Sequence, residues 1–372
     1  MQMLRDGSVP VTFYRATPAA ARTRPAPLHG ARVKKPYTRR RGDVSQQVRL
    51  GVQLAFMLVT VWVGAQFYLW VRYFETAGAT LKVDRPPGVE AWLPIAALMN
   101  AKAFLLTGAV PEIHPAGMFM LIAFVAMSWL LRKSFCSWVC PVGTISEWLW
   151  QTGQAVVGRT FALPRWFDIP LRSLKYILFG LFLYVVVTMP VPDIVAFLTS
   201  PYGLIADVKM LGFFRRMGQT TAIVLAILVV LSLVVKNFWC RFLCPYGAMT
   251  GLVALVSPTR IRRDPVACID CAKCAVACPA GLPVDTALSI RSAECTACMS
   301  CVAVCPAVGA LDLTAGLRRP RVLQPWMVAT AIAVIFLGLV GYARLAGHWH
   351  TELPDALLFD LIPRASEFGH PR

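Results

Sequence analysis

Apolar positions in this chain fall in long blocks, without the short periodic alternation of a soluble fold. Five apolar runs stand out, at about residues 48–71, 116–136, 173–191, 220–240 and 326–343. A helix rises about 1.5 Å per residue, so about 20 residues cross the hydrocarbon core of a bilayer, and runs of about 17–25 suffice. Each run is therefore predicted to span a membrane as one helix, and an odd number of spans puts the termini on opposite sides. Between the fourth and fifth runs the pattern turns polar, with short strands predicted at Arg260–Arg263 and Ala310–Leu313. The expected fold is an α-helical integral membrane protein of five transmembrane helices with an inserted α+β domain. Its parts are a disordered basic tail over 1–47, a four-helix membrane domain over 48–258 and the insert over 259–316. A linker and fifth helix over 317–345 and a short tail over 346–372 complete it.

Composition agrees with this reading. The 372 residues are 57% hydrophobic, above the roughly 45–50% of a soluble domain. A net charge of +18 would suit nucleic acid, but its distribution argues for topology. With the N-terminus inside, 27 of the 37 Lys and Arg fall in the inner segments 1–49, 132–175 and 236–325, while the acidic residues split 9 inside and 10 outside. The whole positive excess then lies on one face, as the positive-inside rule requires, and nucleic acid is discounted as a partner. The insert faces the cytoplasm and the C-terminus the periplasm of a bacterial inner membrane. Residues 1–49 carry Pro18, Pro25, Pro27 and Pro36 and no apolar period, which predicts disorder. Arg39, Arg40 and Arg41 resemble an export signal, but the long run behind them lacks a cleavage site and reads as an anchor.

The insert is built on cysteines. Cys268, Cys271, Cys274 and Cys278 precede Pro279, and after a spacer of sixteen residues the spacing repeats as Cys295, Cys298, Cys301 and Cys305 before Pro306. Both halves read C-x2-C-x2-C-x3-C-P, the bacterial two-cluster ferredoxin pattern, in which the fourth cysteine serves the cluster of the other half. One [4Fe–4S] cluster is expected on Cys268, Cys271, Cys274 and Cys305, the second on Cys295, Cys298, Cys301 and Cys278. Structural zinc gives no reason for the third cysteine or the proline. A disulfide framework would consume the thiols that the clusters need.

A second cysteine pattern lies in the membrane half. Cys136 and Cys140 before Pro141, and Cys240 and Cys244 before Pro245, both read C-x3-C-P-x-G and stand 104 residues apart. They fall at matching ends of the second and fourth runs, which predicts a duplicated two-helix repeat. Cysteines at i and i+4 share a helix face, and the following prolines end or kink the helix. Packed about a pseudo-twofold, the four sulfurs would converge at the membrane surface. Three uses stay open: a third cluster, redox thiols that act on a metal ion, or plain packing.

The outer loops add Lys102, Glu112 and His114 as a candidate quinone or proton site, because oxidation of a quinol releases two protons. No histidine lies within any run, so the pair of axial histidines of a transmembrane haem is absent.

At these residues the chain resembles the NapH-like membrane polyferredoxins. The resemblance rests on Lys133–Gly143, Trp239–Gly247 and the two ferredoxin runs, and covers about residues 50–370. Glu90–Pro94, Leu98–Lys102 and Ser200–Gly203 resemble the YccM-type electron transport subgroup in particular. The resemblance implies electron transfer between the quinone pool and a redox partner, as a quinol dehydrogenase component, or electron supply and metal reduction for metallocentre maturation. The fifth span departs from the four of NapH proper. The segments before 48 and after about 344 are too short for the flavin-binding or immunoglobulin-like domains of other relatives.

Overall fold

A computed structural model describes residues 37–40, 42–158, 161, 163–316 and 320–369. The expected disorder of residues 1–36, and Arg41, lie outside the described residues.

The membrane half is helical. Helix α1 runs over Ser45–Glu75, α2 over Pro94–Thr107, α3 over Pro115–Leu130, α4 over Pro141–Val157 and α5 over Arg165–Thr188. Short helices α6 (Val191–Thr199) and α7 (Pro201–Leu204) lead into α8 (Ala206–Arg215), α9 (Gln219–Val234) and α10 (Pro245–Ala254). After the insert, α13 spans Pro325–Leu345 and α14 spans Asp355–Leu361. Proline occupies the first turn of α2, α3, α4, α10 and α13, where its missing N–H costs no hydrogen bond and its fixed φ suits the helix. Leu58, Trp62, Leu181 and Leu337 on α1, α5 and α13 are 58–70% exposed, a surface that lipid covers and water would not tolerate.

Three helices, α1, α5 and α13, are long and apolar enough to cross a membrane, and α8 with α9, bent by 81°, makes a fourth candidate. Helices α3 and α9 are each 16 residues, about 24 Å of rise, shorter than the runs predicted for them. Their ends are set by backbone breaks: Arg132 at φ 62° and Asn237 at φ 51°. Asparagine accepts the left-handed region readily. Arg132 is held there by its hydrogen bonds, from its N–H to Ser257 (3.1 Å) and from its guanidinium to the Ser292 carbonyl (2.7 Å).

The insert carries the predicted strands as β1 (Thr259–Arg263) and β2 (Leu311–Ala315), antiparallel with Ile261 opposite Leu313. A short β3 (Arg321–Val322) pairs with β2. Helices α11 (Lys273–Ala277) and α12 (Ser300–Ala303) lie between β1 and β2. Ile261, Leu313, Ile290 and Val302 share one buried core with Phe124 and Met127 of α3 and Ile332 of α13. The insert is thus seated on the bundle without an intervening solvent layer.

Residues 38–47 read as tail in the sequence but form a strap over the insert. Arg39 bridges Ala307, the Arg40 N–H donates to the Pro306 carbonyl (2.8 Å), and the Arg40 guanidinium pairs with Asp312 (2.6 Å). Gln46 donates to the Cys298 carbonyl (3.1 Å). Charge complementarity and backbone pairing order this part of the basic segment. At the opposite end of α1, Phe67, Trp70 and Phe74 pack with Ile205 and with Leu358 and Leu361 of α14, so the C-terminal segment caps the bundle.

Candidate functional site

The cysteine loops of the insert repeat one backbone conformation. Asp270 and Ala272 flank Cys271, Ala297 and Met299 flank Cys298, and all four have φ between 50° and 58°. Left-handed residues alternating with ordinary ones turn successive N–H groups toward one point, an anion-binding nest. Cys268, Cys271, Cys274 and Cys305 line one small cavity of about 20 Å³. Cys278 lies beside Cys295 and Cys298, and Cys301 neighbours all three. Cys305 of the second half thus lies with the first three cysteines, and Cys278 of the first half with the second three. Cys301 also faces Cys274, so the two sets adjoin. Burial pushes the Cys274 thiol up to about 11 and the Cys278 thiol up to about 12, each reinforced by neighbouring groups of like charge. Such thiols ionise at neutral pH only when a cation takes the proton's place.

The membrane pattern differs from its expected form. The cysteines do not sit on an unbroken helix: Cys136 and Cys240 lie in single π-turns, Phe135–Val139 and Trp239–Leu243, and Cys140 and Cys244 cap the helices α4 and α10 that follow. The motif glycines explain themselves. A Cβ on Gly143 would overlap the Cys136 carbonyl, and one on Gly247 would stand 3.3 Å from the Cys240 carbonyl oxygen. The two motifs meet, with Cys240 beside Cys244, Cys140 and Cys136. Cys136 Sγ also contacts the Thr250 hydroxyl on α10, the helix that follows the other motif, at 3.4 Å.

Around this membrane set the buried charge does not cancel. Glu294, one residue before Cys295, accepts from Lys175 (2.5 Å) and from the Tyr176 hydroxyl (2.8 Å), and stands 4.0 Å from Lys133. Burial alone would raise the Glu294 carboxyl; Lys133 and Lys175 hold it below its ordinary value. Asp168 is likewise shared by Arg172 (2.5 Å) and Arg241 (2.7 Å). Each group keeps one surplus positive charge. A buried charge without a partner is costly, so the pocket favours an anionic occupant. The membrane set is tied to the second ferredoxin set by Ser137, which donates to the Thr296 carbonyl (2.6 Å), and by the Trp138 indole, which donates to the Ala297 carbonyl (3.2 Å).

Among the described residues no group of three or more His, Cys, Asp or Glu side chains is drawn tightly enough to hold a single metal ion. Four thiolates around one zinc at about 2.3 Å would need sulfurs within about 4 Å of each other, whereas a cube of iron and sulfide holds its ligands farther apart. The eight thiols of the insert, in two fours each with its own nest, fit anionic [4Fe–4S] groups.

Lys102, Glu112 and His114 each have separate surroundings. Lys102 donates to the carbonyls of Val186 (3.1 Å), Val187 (2.8 Å) and Met189 (2.5 Å), closing the end of α5. Glu112 is exposed. His114 is buried at the start of α3, where its Nε2 donates to the Gly203 carbonyl (2.9 Å) and its Nδ1 lies 3.5 Å from Glu90. Arg85 joins Glu90 (2.8 Å) and Asp207 (2.7 Å) in the same network. Lys133, Lys175 and Glu294 were not singled out as site residues in the sequence. For Lys133 and Glu294 the available signal was adjacency to the cysteines; for Lys175, near the start of the third apolar run, only its charge.

Family models match these elements. A 4Fe-4S binding domain matches twice, at residues 113–164 and 217–263, and a 4Fe-4S dicluster domain matches residues 260–306. The protein named "Putative electron transport protein YccM" of Escherichia coli K12 is 46% identical over 328 residues, 87% of this chain and 91% of that protein. The chain belongs to the NapH-like family of ferredoxin-type proteins. Within it, the ferredoxin-type protein NapH of E. coli K12 is 26% identical over 223 residues, 58% of this chain and 68% of its own. The methylamine utilization ferredoxin-type protein MauN of Methylorubrum extorquens is 27% identical over 272 residues, 70% of this chain and 80% of its own. No solved structure matches. In this NapH-like chain the repeated family match contains both C-x3-C-P motifs, so iron–sulfur electron transfer is the chemistry its sequence carries.

Proposed function

We propose that this protein relays electrons between the quinone pool and a redox partner through three [4Fe–4S] clusters. Two are held as the ferredoxin spacing assigns them, and the third by Cys136, Cys140, Cys240 and Cys244. The observation that carries this reading is the series of three adjoining four-thiol sets, the membrane set lying amid surplus buried cations. Each cluster would supply one-electron steps at a potential set by its surroundings. The chain's own part is to present thiols at fixed spacing, aim N–H groups at them, exclude water and balance charge. The positive-inside distribution supports an N-terminus and ferredoxin insert on the cytoplasmic side of a bacterial inner membrane. The five-span topology would count α3 and α9 as spans completed by their π-turns, within a duplicated hairpin.

The test is an iron and acid-labile sulfide count on anaerobically purified protein, with EPR during stepwise reduction. About twelve irons falling to about eight when all four membrane cysteines become serine is the expected result, on four irons per cluster. About eight irons in both samples would remove the third cluster and leave redox thiols acting on a metal ion as the reading.

A further inference from the structure

The four-thiol membrane set lines one end of a cavity of about 310 Å³ that is larger than the cysteines need. Part of its lining carries no thiol and forms an apolar limb. Phe56, Val59, Thr60 and Val63 line it from α1, at the i, i+3, i+4, i+7 spacing of a single helix face. The facing wall is the 3-10 turn Pro87–Trp92, through Gly88, Ala91 and Trp92. Phe124 of α3 and Phe336 of α13 complete it. The aromatic wall continues inward, with Phe124 stacked on Phe135 at 4.0 Å between ring centroids and Phe56 set edge-on to Phe336 at 5.3 Å.

We infer that this limb is the binding site of an isoprenoid quinone, its ring turned toward Cys140 and Cys244. The inference rests on the quinone relay proposed above and gives it a place. Three observations select that occupant. The α1 wall of the cavity borders lipid, because Val59, which lines it, is 54% exposed and the neighbouring Trp62 is 70% exposed on an apolar spanning helix; a ligand entering past this wall comes from the bilayer. The whole cavity of about 310 Å³ lies at the low end of small-molecule pockets, about 300–1,000 Å³, and is shared with the thiol end, so it suits a ring and the start of a chain whose remainder stays in lipid. The lining also carries polar groups, Lys133, Asn237 and Arg241 with the carboxylates of Glu147 and Glu294, and ring oxygens would accept hydrogen bonds from the donors among them. A phospholipid acyl chain would use the apolar wall and leave those donors unanswered.

The cluster-loaded protein, in nanodiscs, is photolabelled with an azido-quinone carrying a short isoprenoid chain, and the labelled peptides are mapped. Label is expected on residues 56–63 of α1 and 88–92 of the 3-10 turn, displaced by excess unlabelled quinone. Two filling variants, Thr60→Phe and Ala91→Leu, are expected to weaken binding of decylubiquinone at least tenfold, read by quenching of tryptophan fluorescence, with iron content unchanged. Quinone that binds but labels only other segments overturns the site and leaves the relay standing. Failure of the wild-type protein to bind any quinone overturns both. Labelling at the site of protein stripped of iron would still support it, because the limb contains no thiol.

Discussion

At the scale of single residues, the paired motifs look equivalent in sequence and differ in space. Gly143 and Gly247 stand at the same place in C-x3-C-P-x-G, yet an added methyl on Gly143 would overlap the Cys136 carbonyl while one on Gly247 would meet only a 3.3 Å approach to the Cys240 carbonyl oxygen. Overpacking of this kind costs about 1–3 kcal/mol, and at Gly143 it would fall on the carbonyl of Cys136, a ligand of the proposed third cluster. Gly143→Ala is therefore expected to lower the midpoint of thermal unfolding and to lose about four irons, whereas Gly247→Ala keeps full iron. Iron analysis of the two variants side by side checks this, and equal loss from both would show that the approaches are equivalent. The cysteines proposed to carry the clusters stand out by spacing alone, because cluster ligation imposes a fixed local pattern. Lys175 does not, since a lysine inside an apolar run gains its meaning only from Glu294, which the chain supplies 119 residues later.

At the scale of elements, the helices were legible wherever apolar length decides the outcome. Helices α1, α5 and α13 follow the apolar runs closely. The breaks after α3 and α9 were not legible, because they depend on Arg132 and Asn237 entering the left-handed region and on partners such as Ser257 and Ser292. The same holds at the far end, where a 3-10 turn and the start of α3 are joined through buried charges. Arg85 and His114 hold the Glu90 carboxyl down at about 2 against the effect of burial. Burial would lower His114, but Glu90 and Asp207 outweigh it together with the opposing charge of Arg85, and its pKa is raised. The signs then oppose each other. The stability from Glu90 is present above the ordinary carboxylate value and is lost as pH falls toward about 2. The stability from His114 is fully present below about 6.5 and is lost as pH rises through its higher folded value. Hydrogen exchange over residues 86–117, corrected for intrinsic rates, is expected to show this end opening more readily at pH 9 than at pH 6. His114→Gln should flatten that difference; an unchanged pH response in the variant would assign it to another group.

At the scale of the whole molecule, the insert and the bundle form one electrostatic unit. Lys175 belongs to a membrane helix and Glu294 to the insert, and their 2.5 Å contact is buried at the junction between them. Removing one partner of a buried pair costs about 3–5 kcal/mol, but the two ends of this pair are not equivalent. Lys175→Met leaves Glu294 with Lys133 and the Tyr176 hydroxyl. Glu294→Gln leaves two lysines facing each other beside the membrane cysteines with no carboxylate between them. Without iron, Glu294→Gln should therefore be the less stable variant. An anionic cluster on Cys136, Cys140, Cys240 and Cys244 would answer those lysines, so loading should restore Glu294→Gln more than Lys175→Met. Thermal unfolding of each variant, stripped and then reconstituted with iron and sulfide, measures that difference directly. Equal gains on loading would mean that the surplus charge is not there to hold the cluster. A larger gain for Glu294→Gln would show that the bundle contributes countercharge to a centre whose ligands come from both halves of the repeated motif.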